Sequence, residues 1–183
     1  MPSKQVSRRP VARPLLQAAV LTGCLAFGAA ALRPPSAMAQ NGLTIFSGVE
    51  KGQELSYSTD YGARPNQTDR YYLKVSKAKM ELAVSKFVVT YPDYFDGKFN
   101  PDDVEITVNG KSVAIEEVNW DKDNYRLEIY PKEAVPAKTD VELVLSDVTN
   151  PDGGMYYLNC LIQAPGDVPI LRNLGTWIMS FSR

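Results

Sequence analysis

The chain has 183 residues, 44% of them hydrophobic, with 20 Lys and Arg against 21 Asp and Glu, a formal net charge of −1 and no histidine. The lack of histidine removes Ser–His and Cys–His dyads, the commonest general base and most zinc and copper sites. From residue 40 on the chain is acidic, with 15 basic against 21 acidic residues and no basic cluster, which argues against nucleic acid and against an anionic membrane surface as partners.

Lys4, Arg8, Arg9 and Arg13 form a basic start, followed by the apolar run Leu15–Leu32. Arg33-Pro34-Pro35 breaks the run, and Ala37-Met38-Ala39 has the small-x-small pattern of a signal-peptidase site. Residues 1–39 therefore read as a signal peptide cleaved after Ala39. A spanning helix over Leu15–Leu32 is an alternative, but the run is barely long enough and contains Gln17 and two glycines. Leu21-Thr22-Gly23-Cys24 has the form of a lipobox, with Cys24 as the lipidated residue, although Leu25-Ala26-Phe27 stays apolar where a lipoprotein turns polar. Ser7-Arg8-Arg9 hints at twin-arginine export, a pattern that Pro10-Val11-Ala12 fits poorly. Cleavage removes five of the 20 basic residues (Lys4, Arg8, Arg9, Arg13, Arg33) and none of the 21 acidic ones, leaving a charge of −6. The mature chain then has no membrane span and keeps one cysteine, Cys160, so no internal disulfide can hold it.

Residues 40–69 read as a short edge strand and a loop, starting with Leu43, Ile45 and Phe46 and ending in the turn-rich Thr59–Asp69. Residues 70–183 read as the sandwich proper. Tyr71, Leu73 and Val75 alternate with polar residues, which predicts a strand; Leu82–Tyr91 predicts another, stopped by Pro92. Pro92–Asp103 is a connecting loop that Phe95 and Phe99 pin to the core. In Val104–Tyr130, Asn109-Gly110 between two alternating runs marks a type I′ hairpin. A second turn at Asp121–Asn124 leads to Tyr125, Leu127 and Ile129, so this stretch reads as a three-strand meander with one apolar face. Pro131–Lys138 is a crossover, and Thr139–Val148, Met155–Gln163 and Thr176–Phe181 are strands. Ala164–Gly175 reads as a long irregular loop. One apolar face must be covered by a second sheet, so the expectation is an all-β, immunoglobulin-like β-sandwich of seven to nine antiparallel strands behind a signal segment.

Some of these residues carry a resemblance. The layout from Asn100-Pro101 through the Asn109-Gly110 hairpin, Trp120 and Val141–Val148 resembles bacterial immunoglobulin-like domains. Arg70-Tyr71-Tyr72-Leu73, Tyr91-Pro92 with Phe95, Gly97-Lys98-Phe99, Glu117-Val118 with Trp120-Asp121, and Asn150-Pro151 with Gly154, Tyr156-Tyr157 and Asn159-Cys160 look like a narrower group. Pro165-Gly166-Asp167-Val168-Pro169 and Leu174-Gly175-Thr176-Trp177 complete the match. The group is the cyanobacterial exported proteins that carry a domain of unknown function. The resemblance implies an extracytoplasmic home, in periplasm, thylakoid lumen or outer surface, and brings no reaction and no catalytic residues.

The chemistry-bearing residues are few. Cys160 shares a strand face with Tyr156, Leu158 and Ile162, which makes it a core residue; a nucleophile would lack a histidine. Asp93, Asp96, Asp121, Asp123 and Asp152 sit in loops at one end of the sandwich, where calcium is a possible ligand. No run has EF-hand spacing, and Asp is also the default turn residue. Glu116 and Glu117 point to opposite faces of a strand and form no acid–base pair. The many tyrosines and two tryptophans suggest an exposed aromatic patch, with Tyr157 and Trp177 as candidates, and Asp167 and Arg172 mark the loop Ala164–Gly175 as a partner-binding surface. The reading is a non-enzymatic binding or structural module of the cell envelope that contacts a protein or a surface polymer. The alternative is a calcium- or carbohydrate-binding domain.

Overall fold

The computed structural model describes residues 49–166 and 168–182. The leader, the cleavage site after Ala39, Cys24, the apolar residues Leu43, Ile45 and Phe46, and Asp167 lie outside these residues.

Eleven strands follow in chain order: β1 (Glu54–Leu55), β2 (Tyr57–Thr59), β3 (Thr68–Val75), β4 (Lys86–Thr90), β5 (Val104–Val108), β6 (Lys111–Val113), β7 (Ile115–Asp121), β8 (Arg126–Pro131), β9 (Val141–Thr149), β10 (Gly154–Gln163) and β11 (Leu171–Phe181). They form a six-stranded sheet, order β1-β11-β10-β4-β8-β7, and a five-stranded sheet, order β2-β3-β9-β5-β6. The expected immunoglobulin-like sandwich is the architecture. The strand count exceeds seven to nine because β1, β2 and β6 are two or three residues long, too short for a periodic pattern. The strands pair antiparallel as expected, except at one edge, where the two-residue β1 runs parallel to β11.

The core lies between the sheets and follows from period-two alternation. Phe87 and Val89, Leu127 and Ile129, Leu158, Cys160 and Ile162, and Trp177, Met179 and Phe181 point in from one sheet. Tyr71, Leu73, Val75, Ile106, Leu143 and Leu145 meet them from the other. Each fully buried Leu, Ile or Phe contributes roughly 1.5–3 kcal/mol relative to exposure.

The predicted meander is divided between the sheets. β5 and β6 form the Asn109-Gly110 hairpin, with φ of 49° and 76° at the two turn residues, as a type I′ turn requires. At Ala114 the chain leaves that sheet, and β7 and β8 join the other. Alternation encodes which face of a strand is apolar, not which sheet it joins. Val113 and Ile115 both pack on the core on either side of the switch.

The predicted loop Ala164–Gly175 is shorter than expected. β11 begins at Leu171, so the irregular segment is 164–170. Cys160 opposes Gly175 and Leu161 opposes Asn173, leaving Leu174 as an extra residue. This bulge breaks the alternation that would have marked the strand. Gly175 has φ 148°, and a Cβ there would stand 2.3 Å from the Gln53 carbonyl oxygen. Glycine thus lets β1 dock, and the Thr176 N–H donates to that carbonyl at 2.8 Å.

Strand directions gather the β2–β3, β4–β5, β7–β8 and β9–β10 connections at one end of the sandwich, the loop end.

Candidate functional site

The loop end is built on a chain of aromatic rings. Tyr91, at the end of β4, packs against Phe95 (5.3 Å between centroids), Phe99 (5.4 Å) and Tyr125 (6.1 Å, edge-on). Phe95 meets Tyr156 edge-on at 5.3 Å, and Phe99 meets Trp120 at 5.6 Å. Such tilted and edge-to-face pairs are worth about 0.5–1.5 kcal/mol each beyond area burial. The β4–β5 loop folds over its own Phe95, and a Cβ at Gly97 would lie 2.6 Å from that ring. The Trp120 indole N–H donates to the Tyr91 hydroxyl at 2.7 Å. Burial raises the Tyr91 phenol above its ordinary value, opposed by that hydrogen bond.

This rigid base presents exposed tyrosines. Tyr94 is 60% exposed and leans on Tyr156 at 5.6 Å. Tyr125, 42% exposed, follows the turn in which Asp121 accepts from the Asn124 N–H and side-chain amide. Those bonds, the Asn124 side chain foremost, hold the Asp121 carboxyl below its usual value, helped by Arg126 at 3.0 Å. Lys122 lies 4.1 Å over the Trp120 ring.

The third tyrosine, Tyr61, is 64% exposed on the β2–β3 loop. Buried Asp69 pins that loop by accepting the N–H groups of Tyr61 (2.9 Å), Ala63 (2.9 Å) and Arg70 (2.7 Å). Buried Asn150 ties it to the β9–β10 turn. Its Oδ1 accepts the Tyr71 hydroxyl at 2.6 Å, its Nδ2 donates to the Arg64 carbonyl at 2.8 Å, and its N–H donates to Gln67 at 2.9 Å. Among the described residues, every buried side-chain polar atom is hydrogen-bonded. Beside Tyr61 runs an open polar groove of about 950 Å³, lined by Asp60, Tyr61, Arg64, Gln67 and Ser182 among others.

The predicted site residues divide. Asp93, Asp96, Asp123 and Asp152 lie on loop-end connections, and Asp121 is the last residue of β7 at the same end. They do not converge: Asp96 accepts the Asp152 N–H at 3.0 Å, Asp152 accepts from Asn66 at 2.9 Å, and Asp121 is held by Asn124 and Arg126. Among the described residues, no three His, Cys, Asp or Glu side chains gather where they could hold a metal ion. Trp177 requires correction as a surface residue. It is wholly buried, and its indole N–H reaches across to the Lys74 carbonyl of the opposite sheet at 3.2 Å. It lies opposite Leu158 on the inward row Trp177, Met179 and Phe181 of β11, a row that the predicted strand Thr176–Phe181 already carries as alternation. Tyr157 is half-buried on the outer face of β10, and Arg172 is exposed near the start of β11, at the opposite end of the sandwich. Cys160 is a core residue whose thiol burial pushes up to about 12. Sequence reasoning did not single out Tyr61, Tyr94 or Tyr125. For Tyr61 and Tyr94 the available signal was an aromatic placed among Gly, Pro, Asp and Asn turn residues, whereas Tyr125 was read with Leu127 and Ile129 as one apolar face and stands instead in the turn before β8, with φ 53°.

A family model described as "Protein of unknown function (DUF2808)" matches residues 43–181. The chain belongs to that family. Comparison of this DUF2808 chain with curated proteins finds no match. Among solved structures it is similar to the bacterial hydrophobin BslA, with 13% identity and a TM-score of 0.45 over 70% of this chain and 92% of that one. It is similar to the collagen-binding domain of a Staphylococcus aureus adhesin, with 10% identity and a TM-score of 0.40 over 70% and 97%. A third is a Nocardia farcinica protein with an immunoglobulin-like fold, at 10% identity and a TM-score of 0.39 over 72% and 99%. Among the described residues of the DUF2808 chain, no helix is long and apolar enough to cross a membrane.

Proposed function

We propose that this DUF2808 chain is exported in a cyanobacterium and serves as a non-catalytic binding or structural module of the cell envelope, engaging an envelope protein or surface polymer through its loop end. The observation that carries this reading is the placement of Tyr61, Tyr94 and Tyr125. Three exposed tyrosines stand on separate loops at one end, each held from behind by buried rings or a buried carboxylate. Prepositioned aromatics present contact area at low entropic cost, which is what a recognition surface needs. The basic-apolar-small leader supports export, and the absence of histidine favours a non-catalytic role.

The test is capture from native envelope extract with the tagged chain, run beside a Tyr61→Ser/Tyr94→Ser/Tyr125→Ser variant. One stoichiometric partner is expected, with at least about tenfold weaker capture by the variant, since buried interface tyrosines are worth roughly 1–2 kcal/mol or more each. Equal capture by both proteins overturns the loop-end reading. Export is checked separately by fractionation and N-terminal mass spectrometry, with a chain starting at Gln40 expected outside the cytoplasm.

A further inference from the structure

The outward face of the six-stranded sheet carries an ordered polar row. In register across five strands stand Thr176 on β11, Asn159 on β10, Thr90 on β4, Arg126 on β8 and Asp121 on β7. Side-chain bonds join the row in two segments, Thr176 to Thr90 and Arg126 to Asp121. The Thr176 hydroxyl donates to Asn159 Oδ1 at 2.7 Å, Asn159 Nδ2 donates to Thr90 Oγ1 at 3.3 Å, and Arg126 Nε donates to Asp121 Oδ2 at 3.1 Å. At the usual interstrand spacing it is about 19 Å long.

Apolar groups flank the row. On one side Tyr157 stands opposite Ile178, both half-buried, with the exposed Met155 beyond. On the other, Leu161 stands opposite the buried Val88. The charges are neutralised within the face: Glu128 meets Lys86 at 3.4 Å and Arg126 at 3.6 Å and accepts the Tyr130 hydroxyl at 2.8 Å, and Arg126 meets Asp121 at 3.0 Å.

We propose that this face is a binding track for an extended neutral polysaccharide, laid across the strands along the row from Asn159 to Asp121, with the buried Thr176 fixing the Asn159 amide. The charge pattern selects the ligand. A charged polymer meets no unpaired charge on this row, and an apolar protein surface would strip water from it without replacing the hydrogen bonds. A sugar chain offers hydroxyls to the free valences of the hydroxyl, amide and carboxylate groups, and an apolar ring face to Tyr157. The internal bonds hold the row in place before the ligand arrives, which lowers the entropic cost of binding. This inference goes beyond the loop-end reading, shares with it only the Asp121–Arg126 pair and none of the three exposed tyrosines, and stands or falls without it.

The test is affinity gel electrophoresis of the purified protein through native gels containing hydroxyethylcellulose, xylan, glucomannan or amylopectin, with carboxymethylcellulose as the anionic counter-probe. Retardation by at least one neutral polymer is expected. Tyr157→Ala and Asn159→Ala should each weaken it about tenfold, while Lys111→Ala, exposed on β6 of the other sheet, leaves it unchanged. Circular dichroism and melting confirm that each variant folds; Tyr157→Phe, which keeps the ring, should retain binding if Tyr157→Ala proves unstable. Passage of the protein unretarded through every neutral gel overturns the proposal. So does retardation only by carboxymethylcellulose, or neutral-polymer binding that neither Tyr157→Ala nor Asn159→Ala weakens.

Discussion

Cys160 sits between Leu158 and Ile162 on the inward side of β10, wholly buried, and desolvation alone pushes its thiol up from 9.0 to about 12. The folded state therefore favours the protonated thiol. That contribution is complete below about pH 9, where the unfolded thiol is also protonated, and is lost as pH rises from 9 towards 12. The phenol of Tyr130, raised from 10.0 to about 12 by burial and then by Glu128, has the same sign over a slightly higher window, and buried Tyr71 is raised further still. Unfolding free energy measured in urea at fixed pH should be flat up to about pH 9 and fall steeply above it. Cys160→Ala should make that alkaline fall shallower. The thiol itself should resist iodoacetamide at pH 8 until the protein is unfolded.

Asp69 presents a different residue-scale case, because its carboxylate replaces a missing strand partner for three backbone N–H groups. Asp69→Ala leaves those donors without an acceptor and should cost roughly 2–4 kcal/mol in urea denaturation, at about 1–3 kcal/mol per unsatisfied group with partial rescue by water. Asp69→Asn keeps one acceptor oxygen and should cost less. A loss under about 0.5 kcal/mol for the alanine variant would mean that the Tyr61 loop is held by Asn150 alone.

Among elements, β1 is the one whose place depends on a single residue. It adds two residues in parallel to β11, and only a glycine at 175 leaves room for the Gln53 carbonyl. Gly175→Ala combines a strained positive φ with a backbone clash, so it should destabilise by about 1–3 kcal/mol and release β1. Limited proteolysis should then cut within residues 50–56 of the variant while the parent protein resists. The same bulge explains what the sequence conceals. Wherever alternation is regular, as in Thr68–Val75 and Gly154–Gln163, strands, faces and core residues were legible, because the period of two is the burial pattern itself. Where Leu174 is inserted, the pattern slips by one, and the start of β11 at Leu171 could not be read, whereas the inward row Trp177, Met179 and Phe181 lies beyond the bulge, inside the predicted strand Thr176–Phe181. The sheet switch at Ala114 was hidden for another reason: both sides of it face one core, so hydrophobicity is continuous across it. The loop-end site lies beyond any periodic signal. Tyr61, Tyr94 and Tyr125 come together only because strand order and direction bring their loops to one end.

For the whole molecule, the order of strands decides how it unfolds. The chain passes between the two sheets six times, at β1–β2, β3–β4, β4–β5, β6–β7, β8–β9 and β9–β10. Neither sheet is therefore a contiguous piece of sequence, and neither can keep its apolar face covered once the other opens. The two tryptophans sample distant parts of this arrangement. Trp177 is buried between the sheets and bonded across them, while Trp120 is half-buried at the loop end under Lys122. If packing between the sheets is the dominant stabilising term, both must report one event. Trp120→Phe and Trp177→Phe, each leaving one fluorophore, should give single urea transitions whose midpoints match those from circular dichroism of the same variant. The slopes should be roughly 1–3 kcal/mol per molar urea. Trp177→Phe should shift its midpoint down further than Trp120→Phe, because it loses a buried hydrogen bond and leaves a cavity. A Trp120 signal that moves at lower urea than the circular dichroism would show instead that the loop end opens on its own. The exposed tyrosines would then be presented by a locally unfolding cap and not by the rigid ring cluster.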